Sequence, residues 1–566
     1  MANFRMMLEG TVAQHENNIA FTLKNKTKDS KEVTYRDITF KEFYSEVKAV
    51  AVSMVKRGMA GKRIALAGIN QYTWVLGYLA TQLTGGISVP LDKGLKFDEL
   101  EFSLERAEAD YLFFDKSHLA NANQVVSNGI VNLEGIISLD GCSDNDISAM
   151  LEEGFAEIEV NGTGCIDSIT IDDHALAVLL FTSGTTSLAK IVMLSQNNII
   201  RNTLDTLAVE DIRDTDTSIA FLPYHHIFGS TGQWVILAAG TRTVYCDGLK
   251  YIQKNLQEYG VSIFFGVPLI IENMYKKVLL TAEKNGMLKK LQLGGKVSNI
   301  LLKLGIDVRR KLFSVVHEAF GGKLRLCIIG GAAADAECIK GFKTFGITAI
   351  QGYGLTETSP VLAAERMTRL KPGSIGITNK GVELKIFEPD EKGVGEIIAR
   401  GETIMLGYYK NQEATDEAIV DGWFHTGDLA YMDKDGFIFI TGRKKNVIVL
   451  KNGKKVFPEE LESLLAPLSY ATEAVVLGVP EPEDERDLVV TLKMVYDPEA
   501  FPNMSYDEVY AKVKEDVELI NETTPTYKRI RRIILTDQEM VKTSTGKVKR
   551  YVEVQNIINE RENQDK

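Results

Sequence analysis

Cysteine is scarce. Cys142, Cys165, Cys246, Cys327 and Cys338 are scattered through 566 residues with no CxxC pair, which excludes a disulfide frame and a zinc site of the usual spacing and suits reduced thiols in a cytosol. Long apolar runs are lacking too, since none approaches the ~20 residues that span a bilayer. The first ten residues, Met1 to Gly10, lack the apolar core and cleavage site of a signal peptide. A cytoplasmic protein is expected, with peripheral membrane association left open. There is no basic surplus: 65 Lys and Arg stand against 77 Asp and Glu, a net charge of −12. That balance argues against a general nucleic-acid or anionic-membrane partner, although local basic patches can still bind an anionic ligand. Also absent are GxxxxGK[ST], GxGxxG and GxSxG, so neither P-loop phosphoryl transfer, nor dinucleotide redox chemistry, nor a nucleophile elbow is expected. Internal repeats and low-complexity tracts are missing.

What is present has the texture of an ordinary globular protein, 45% hydrophobic and 25% charged. The length exceeds one hydrophobic core and predicts two or more domains. Residues 39 to 57 read as a helix: Phe40, Phe43, Val47, Val50 and Met54 recur at helical period, Thr39 and Glu42 form a capping box, and Gly58 and Gly61 end it. Strands at 63–67, 86–91 and 175–181 alternate with a helix at 72–83, which predicts right-handed βαβ units on a largely parallel sheet. Residues 141 to 168, acidic and rich in Gly, Asn and Ser, read as a surface connection. Two further strands, 324–332 and 347–350, run into tight turns at their C-terminal ends, where open α/β sheets bind ligands. From about 373 the pattern alternates and glycines are frequent, so a small distorted β-barrel is expected over about 373–442. Its Asp433-Lys434-Asp435-Gly436 lacks the remaining ligand positions of a calcium loop and reads as a hairpin turn. Pro458 opens a further helix, and 443–566 has the size of a small α+β domain.

The stretch that organises the chemistry is Thr182-Ser183-Gly184-Thr185-Thr186-Ser187-Leu188-Ala189-Lys190, directly after a buried-type strand. Hydroxyls, a glycine and one cation at a strand end can wrap a polyphosphate. After it come Gln351-Gly352-Tyr353-Gly354-Leu355-Thr356-Glu357, His425-Thr426-Gly427-Asp428, Gly442-Arg443-Lys444-Lys445 and Thr545-Gly546-Lys547. In this order the five motifs resemble the core motifs of the AMP-forming adenylating enzymes, the superfamily of acyl-CoA synthetases, amino-acid adenylation domains and luciferases. The likeness covers nearly the whole chain and is nearest to long-chain fatty-acyl-CoA synthetases.

The resemblance implies an α/β fold, with residues 1–442 as an ATP- and acyl-binding domain hinged to a mobile domain at 443–566. It implies ATP, Mg²⁺ and coenzyme A as cofactor and co-substrates. Thr182, Ser183, Gly184, Thr185, Thr186 and Lys190 fall on the phosphates; Gly331, Ala332, Gln351, Gly352 and Tyr353 on the nucleotide, with Tyr353 stacked on adenine; Thr356 on the α-phosphate. Thr182 and Glu357 fall on Mg²⁺, a hard cation that takes one or two protein oxygens plus phosphate oxygens. Asp428 matches the aspartate that accepts both ribose hydroxyls, Arg443 its partner, and Lys445 the hinge. Lys547 matches the lysine that bridges substrate carboxylate and α-phosphate. The copy departs from the usual pattern at Ser187, Ala189 and Ile191, and Val449 stands where several relatives place a lysine used in thioester formation.

Bringing two anions together demands charge neutralisation and positioning. No enzyme nucleophile is needed. Leu222 to Gly229 resembles the aromatic and histidine border of an acyl pocket, with His226 at the histidine position. The acid that pairs with an amino-acid ammonium in the amino-acid-activating relatives is missing there. Lysines and arginines among leucines and valines over 286–323 suit a lipid-like substrate or a membrane surface. Lys528-Arg529-Ile530-Arg531-Arg532 and the lysines after the hinge can either attract CoA or form a solvated basic face. A medium- to long-chain fatty acid:CoA ligase is the favoured reading. The alternatives are an acyl-carrier-protein or aryl-CoA ligase and a non-catalytic regulatory homologue.

Overall fold

The computed structural model describes residues 3–26, 33–182, 190–542 and 548–564. The apolar run Leu176–Phe181 forms a strand whose four central residues are buried. A strand covered on both faces has no solvent side on which to place polar residues, hence the unbroken apolar run. Among the described residues it belongs to a seven-stranded sheet in the order Gly407–Tyr408, Ile191–Ser195, Leu176–Phe181, Ile87–Leu91, Arg63–Ala67, Tyr111–Phe114, Gly135–Ser138. The last five of these pair in parallel. A second, nine-stranded sheet has a parallel centre running from Thr348–Gly354 through Leu326–Ile329, Ile263–Gly266, Thr217–Ala220 and Arg242–Tyr245 to Ile19–Lys26.

Helices Phe4–His15, Tyr72–Leu83 and Ile227–Ala238 join the two sheets through one core. At its centre Tyr78 stacks on Trp234 at 4.8 Å, and the Phe4 ring meets both edge-on at 5.7 and 5.3 Å. Such aromatic pairs each add about 0.5–1.5 kcal/mol beyond their area. Helix Phe40–Lys56 starts at the expected capping box, Thr39 with Glu42, and ends before Gly58 and Gly61, both in the left-handed region.

One expectation fails. Residues 141–168 are not a plain connection: Ile147–Asn161 is a helix capped by Asp146, whose carboxylate accepts from Ala149 N–H, and Gly164–Asp167 adds a short turn of helix. Gly154 misled the reading. It serves as a contact point rather than a breaker, because a Cβ there would lie 1.8 Å from the Ala49 carbonyl oxygen of helix Phe40–Lys56.

Where a barrel is expected, an antiparallel half-barrel sheet is built from Val382–Phe387, Gly395–Gly401, Ile419–Val420, Trp423–Met432 and Ile438–Arg443. Asp433 there caps a turn, its Oδ1 accepting from Asp435 and Phe437 N–H while Lys371 pairs with its other oxygen. After Lys445 a separate core forms around Leu461, Val476, Leu492 and Val513, over the three strands Ala471–Glu481, Asp484–Tyr496 and Arg532–Thr536. Among the described residues no helix is long and apolar enough to cross a membrane.

Candidate active site

The strand Leu176–Phe181 pairs antiparallel with Ile191–Ser195, Phe181 opposite Ile191, so the chain leaves and returns at one point. Thr182 closes that neck: its N–H and hydroxyl both donate to the Lys190 carbonyl, at 2.9 and 3.1 Å. Ser183, Gly184, Thr185 and Thr186 lie outside the described residues. Lys190 sits with its ammonium 4.4 Å from the centre of the Tyr408 ring. Tyr408 reaches this place because its two-residue strand pairs with Ile191–Ser195, Val192 opposite Tyr408.

The same tyrosine holds the next site residue. Its hydroxyl donates to Glu357 Oε1 at 2.9 Å, and Met405 N–H donates to the Glu357 carbonyl at 2.9 Å. Glu357 is therefore fixed at side chain and backbone by one short segment, on a single turn, Thr356–Thr358, that follows strand Thr348–Gly354. Burial, together with the Glu357 charge and hydrogen bond, pushes the Tyr408 phenol well above its ordinary range, so it remains a donor at any physiological pH.

Tyr353, on the strand before that turn, donates its hydroxyl to Asp428 Oδ2 at 2.6 Å. Arg443 Nε lies 2.7 Å from the other oxygen, Asp428 Oδ1. The pairing is a product of register, since Asp428 and Arg443 are direct partners across strands Trp423–Met432 and Ile438–Arg443. Burial and the Asp428 charge raise the Tyr353 phenol well above normal. Arg443 Nη2 also donates to Asp428 Oδ2, at 3.5 Å, so Oδ2 has two partners and Oδ1 one, which leaves Oδ1 the freer acceptor for a ligand hydroxyl. Lys445 lies within reach of these charges: burial, then the Arg443 charge, lowers its ammonium pKa, with Lys190 adding to the lowering and Asp428 and Glu357 opposing it.

Gln351 ties in the neighbouring strand end. Its Oε1 accepts from Ala334 N–H at 2.8 Å, so the loop through Gly331 and Ala332 is anchored to the strand carrying Gly352 and Tyr353. Gly331 has φ +88°, a conformation that favours glycine. The preceding Gly330 packs against Phe228, where a Cβ would sit 3.0 Å from the ring. Phe228 lies in the first turn of helix Ile227–Ala238, whose N-cap is His226. The His226 ring stands 4.4 Å from that of His225, which pairs with Asp92 at 3.5 Å. Beside Gly229 of the same helix, a cavity the size of one water is lined by Ser218, Phe221, Leu222, Tyr224, Gln233 and Phe265.

The structure thus brings together Thr182, Lys190, Glu357, Tyr353, Asp428, Arg443 and Lys445, with Gln351 linking them to the Gly331 loop. Lys547 lies outside the described residues. Arg550, beyond it, makes two hydrogen bonds to Glu462 at 2.6 and 2.7 Å and so serves the C-terminal core. Of the basic cluster, Lys528 pairs with Glu460 and Arg532 with Glu481, and Ile530 is buried. Lys528 and Arg532 are thus engaged within their own domain, while Arg529 and Arg531 are exposed. Tyr408 was missed from sequence. Its signal was weak, a Gly-Tyr-Tyr after an irregular stretch, and only the sheet pairing shows what it touches.

The AMP-binding enzyme family matches residues 8–409, and the AMP-binding enzyme C-terminal domain matches 445–559. The chain belongs to the AMP-binding enzyme family. Within it, the chain falls in the AMP-forming acyl- and aryl-CoA ligase superfamily. It is 27% identical over 515 residues to the long-chain-fatty-acid–CoA ligase FadD15 of Mycobacterium tuberculosis, covering 87% of this chain and 84% of that one. It is 26% identical to long chain acyl-CoA synthetase 2 of Arabidopsis thaliana, covering 80% and 73%. In fold it matches the anthranilate CoA ligase AuaEII in complex with anthranoyl-AMP, with TM-score 0.78, 21% identity and coverage of 98% and 97%. It also matches ATP-bound MatB from Rhodopseudomonas palustris, with TM-score 0.76, 22% identity and 98% of both chains covered.

Enzymes of this AMP-binding family use ATP, Mg²⁺ and CoA, and the donor set here fits them. Glu357 offers a carboxylate with Oε1 engaged by Tyr408 and no hydrogen bond to Oε2 among the described residues. That leaves one oxygen for a hard cation. No cluster of three or more metal-ligating side chains occurs among the described residues. A magnesium ion held by a single carboxylate with phosphate oxygens needs none.

Proposed function

We infer that this chain is an ATP-dependent fatty acid:CoA ligase acting on a medium- to long-chain acid in two half-reactions. The observation that supports it most is the Lys190–Tyr408–Glu357 array set beside the Tyr353–Asp428–Arg443 array at the ends of two sheets. One array offers a cation and a metal-binding carboxylate for the phosphates, the other an apolar face and a carboxylate for the nucleoside. The names of the long-chain relatives favour a fatty acid.

In the first half-reaction a carboxylate oxygen attacks the α-phosphorus, the bond to the bridging oxygen breaks, and pyrophosphate leaves with that electron pair. Mg²⁺, when held by Glu357 and assisted by Thr182, neutralises phosphate charge. Lys190 and Lys547 supply the cationic counterparts on the protein, and Thr356 sits at the α-phosphate. Asp428 orients the ribose, and His226 borders the acid. In the second half-reaction the CoA thiol gives its proton to solvent, the sulfur attacks the acyl carbon, and the acyl C–O bond to the phosphate breaks so that AMP departs with that electron pair.

On this reading residues 1–442 form the nucleotide and acyl domain, and 443–566 rotate about Lys445 between the half-reactions. The separate core after Lys445 supports that division. The test is direct. Incubated with ATP, Mg²⁺ and palmitate but no CoA, the protein should retain palmitoyl-AMP detectable by mass spectrometry. Added CoA should then convert it to palmitoyl-CoA and AMP. Formation of ADP, or an adenylate that CoA does not consume, overturns the proposal.

A further inference from the structure

Helix Leu288–Lys303 leaves a stripe of its apolar residues facing solvent. Toward its own domain it presents Leu291, which packs against the core, and small side chains: a Cβ on Gly295 would lie 2.9 Å from Thr344, one on Gly294 3.5 Å from Leu312 and Phe313, and Ser298 is fully buried. Toward solvent, Leu293, Ile300 and the capping Leu304 are 62%, 61% and 70% exposed, with Val297 at 45%. These positions follow the spacing i, i+4, i+7, i+11, a single stripe of an α-helix. Leu312 and Val315, exposed at 47% and 72%, continue the apolar surface beyond the helix.

The stripe is bordered by charge of one sign. Lys289, Lys290, Lys296 and Lys303 are exposed along it. From 288 to 312 the chain carries seven lysines and arginines and one acid, Asp307, in a protein whose net charge is −12. That one acid is already engaged, held by two hydrogen bonds from Arg309 at 2.9 and 2.7 Å. Beyond about a Debye length of ~8 Å the distant negative charge is screened, so the local field decides what approaches this face.

We propose that this face docks the protein on an anionic lipid bilayer. An exposed apolar stripe flanked by lysines, on a helix lying along the protein surface, matches an interfacial helix: the aliphatic residues enter the acyl boundary and the lysine stems reach up to the headgroups. A second copy suits it less. An isologous contact sets each patch against itself, which here brings lysines against lysines. The docking stands whether or not the acid substrate is a fatty acid.

Flotation of the full chain with vesicles tests it, using phosphatidylcholine alone and mixed in equal parts with phosphatidylglycerol. The protein should float with the anionic vesicles, be released by high salt and ignore the neutral ones. Each lysine near the surface is worth about a 5-fold change in partitioning, so Lys289→Glu/Lys296→Glu/Lys303→Glu should lower it at least about 100-fold. Leu293→Ser/Ile300→Ser should lower it by about 100-fold. All five positions are exposed and outside the nucleotide site, so melting temperature and ATP binding should not change and serve as the control. No flotation, equal binding to neutral vesicles, or binding that both variants leave intact overturns the proposal. So does an oligomer of the native chain that Leu293→Ser/Ile300→Ser dissolves, since a second copy then covers the face.

Discussion

Replacing Tyr408 by phenylalanine removes one oxygen and isolates its contribution to the site. The ring that faces Lys190 at 4.4 Å remains, and the hydroxyl that donates to Glu357 Oε1 at 2.9 Å is lost. Groups that orient a metal-binding carboxylate typically cost 10–100-fold in metal affinity or activity when removed. Here Glu357 keeps its backbone anchor, Met405 N–H to its carbonyl, so the lower half of that range is expected. The prediction for Tyr408→Phe is about a 10- to 30-fold loss in kcat/KM for ATP, equivalent to about 1.4–2 kcal/mol. The apparent Mg²⁺ requirement should rise and the melting temperature should stay nearly constant. Pyrophosphate release titrated with Mg²⁺ at fixed ATP reads both quantities. Tyr408→Leu removes the ring as well and should weaken ATP binding further, because a cation over an aromatic face contributes about 0.5–2 kcal/mol. Native Mg²⁺ dependence in Tyr408→Phe would refute the reasoning, because the tyrosine would then be packing alone.

Other perturbations have equally definite outcomes. Asp428→Asn weakens two charge-assisted hydrogen bonds, from Tyr353 and Arg443; at about 1.5 kcal/mol each, kcat/KM for ATP should fall about 100-fold in the same assay. Lys547→Ala should abolish adenylation yet leave thioester formation from supplied acyl-AMP, and equal loss of both would contradict a two-conformation cycle. Burial alone would raise the Asp115 carboxyl, but hydrogen bonds from His118, Ser117 and the Ile69 N–H outweigh it and hold it down at about 2, from 3.8. A depressed folded pKa stabilises above the unfolded value and is lost as pH falls through the folded one, so Asp115 should contribute about 2 kcal/mol at neutral pH that disappears between about pH 4 and 2. Asp115→Asn should remove that limb of a pH–stability curve measured by urea unfolding. Gly154→Ala should destabilise by at least about 1–3 kcal/mol in thermal melts, since its methyl meets the Ala49 carbonyl.

Where local rules and burial agreed, the fold was readable from sequence. The Thr39–Glu42 box and the Tyr72–Leu83 helix stand where periodicity puts them, and the apolar run before Thr182 is the covered strand. Motif order brought out Glu357, Tyr353, Asp428 and Arg443 because each is a chemically distinctive residue at a strand end. What escaped was relational. Gly154 is a glycine for a neighbour 105 positions earlier in the chain, Ala49, and no local pattern records that. Tyr408 acquires its meaning from pairing with Ile191–Ser195, across more than 200 residues. The 286–323 segment reads in sequence as basic and apolar, suited to a lipid-like substrate or a membrane surface, without saying which residues face outward. Only the burial of Ser298 and the close approach of Gly295 to Thr344 show which side of helix Leu288–Lys303 faces inward.

The central claim is the chemistry, and pyrophosphate release from ATP tests it most directly. It should be measured with Mg²⁺ across carboxylic acids from acetate to palmitate, plus benzoate and cinnamate, with and without CoA. A fatty acid:CoA ligase gives release that peaks at one medium- to long-chain acid and turns over only when CoA is present. Release that peaks at benzoate or cinnamate would reassign the acid, turnover that CoA does not support would reassign the acceptor, and silence across the panel would contradict the account.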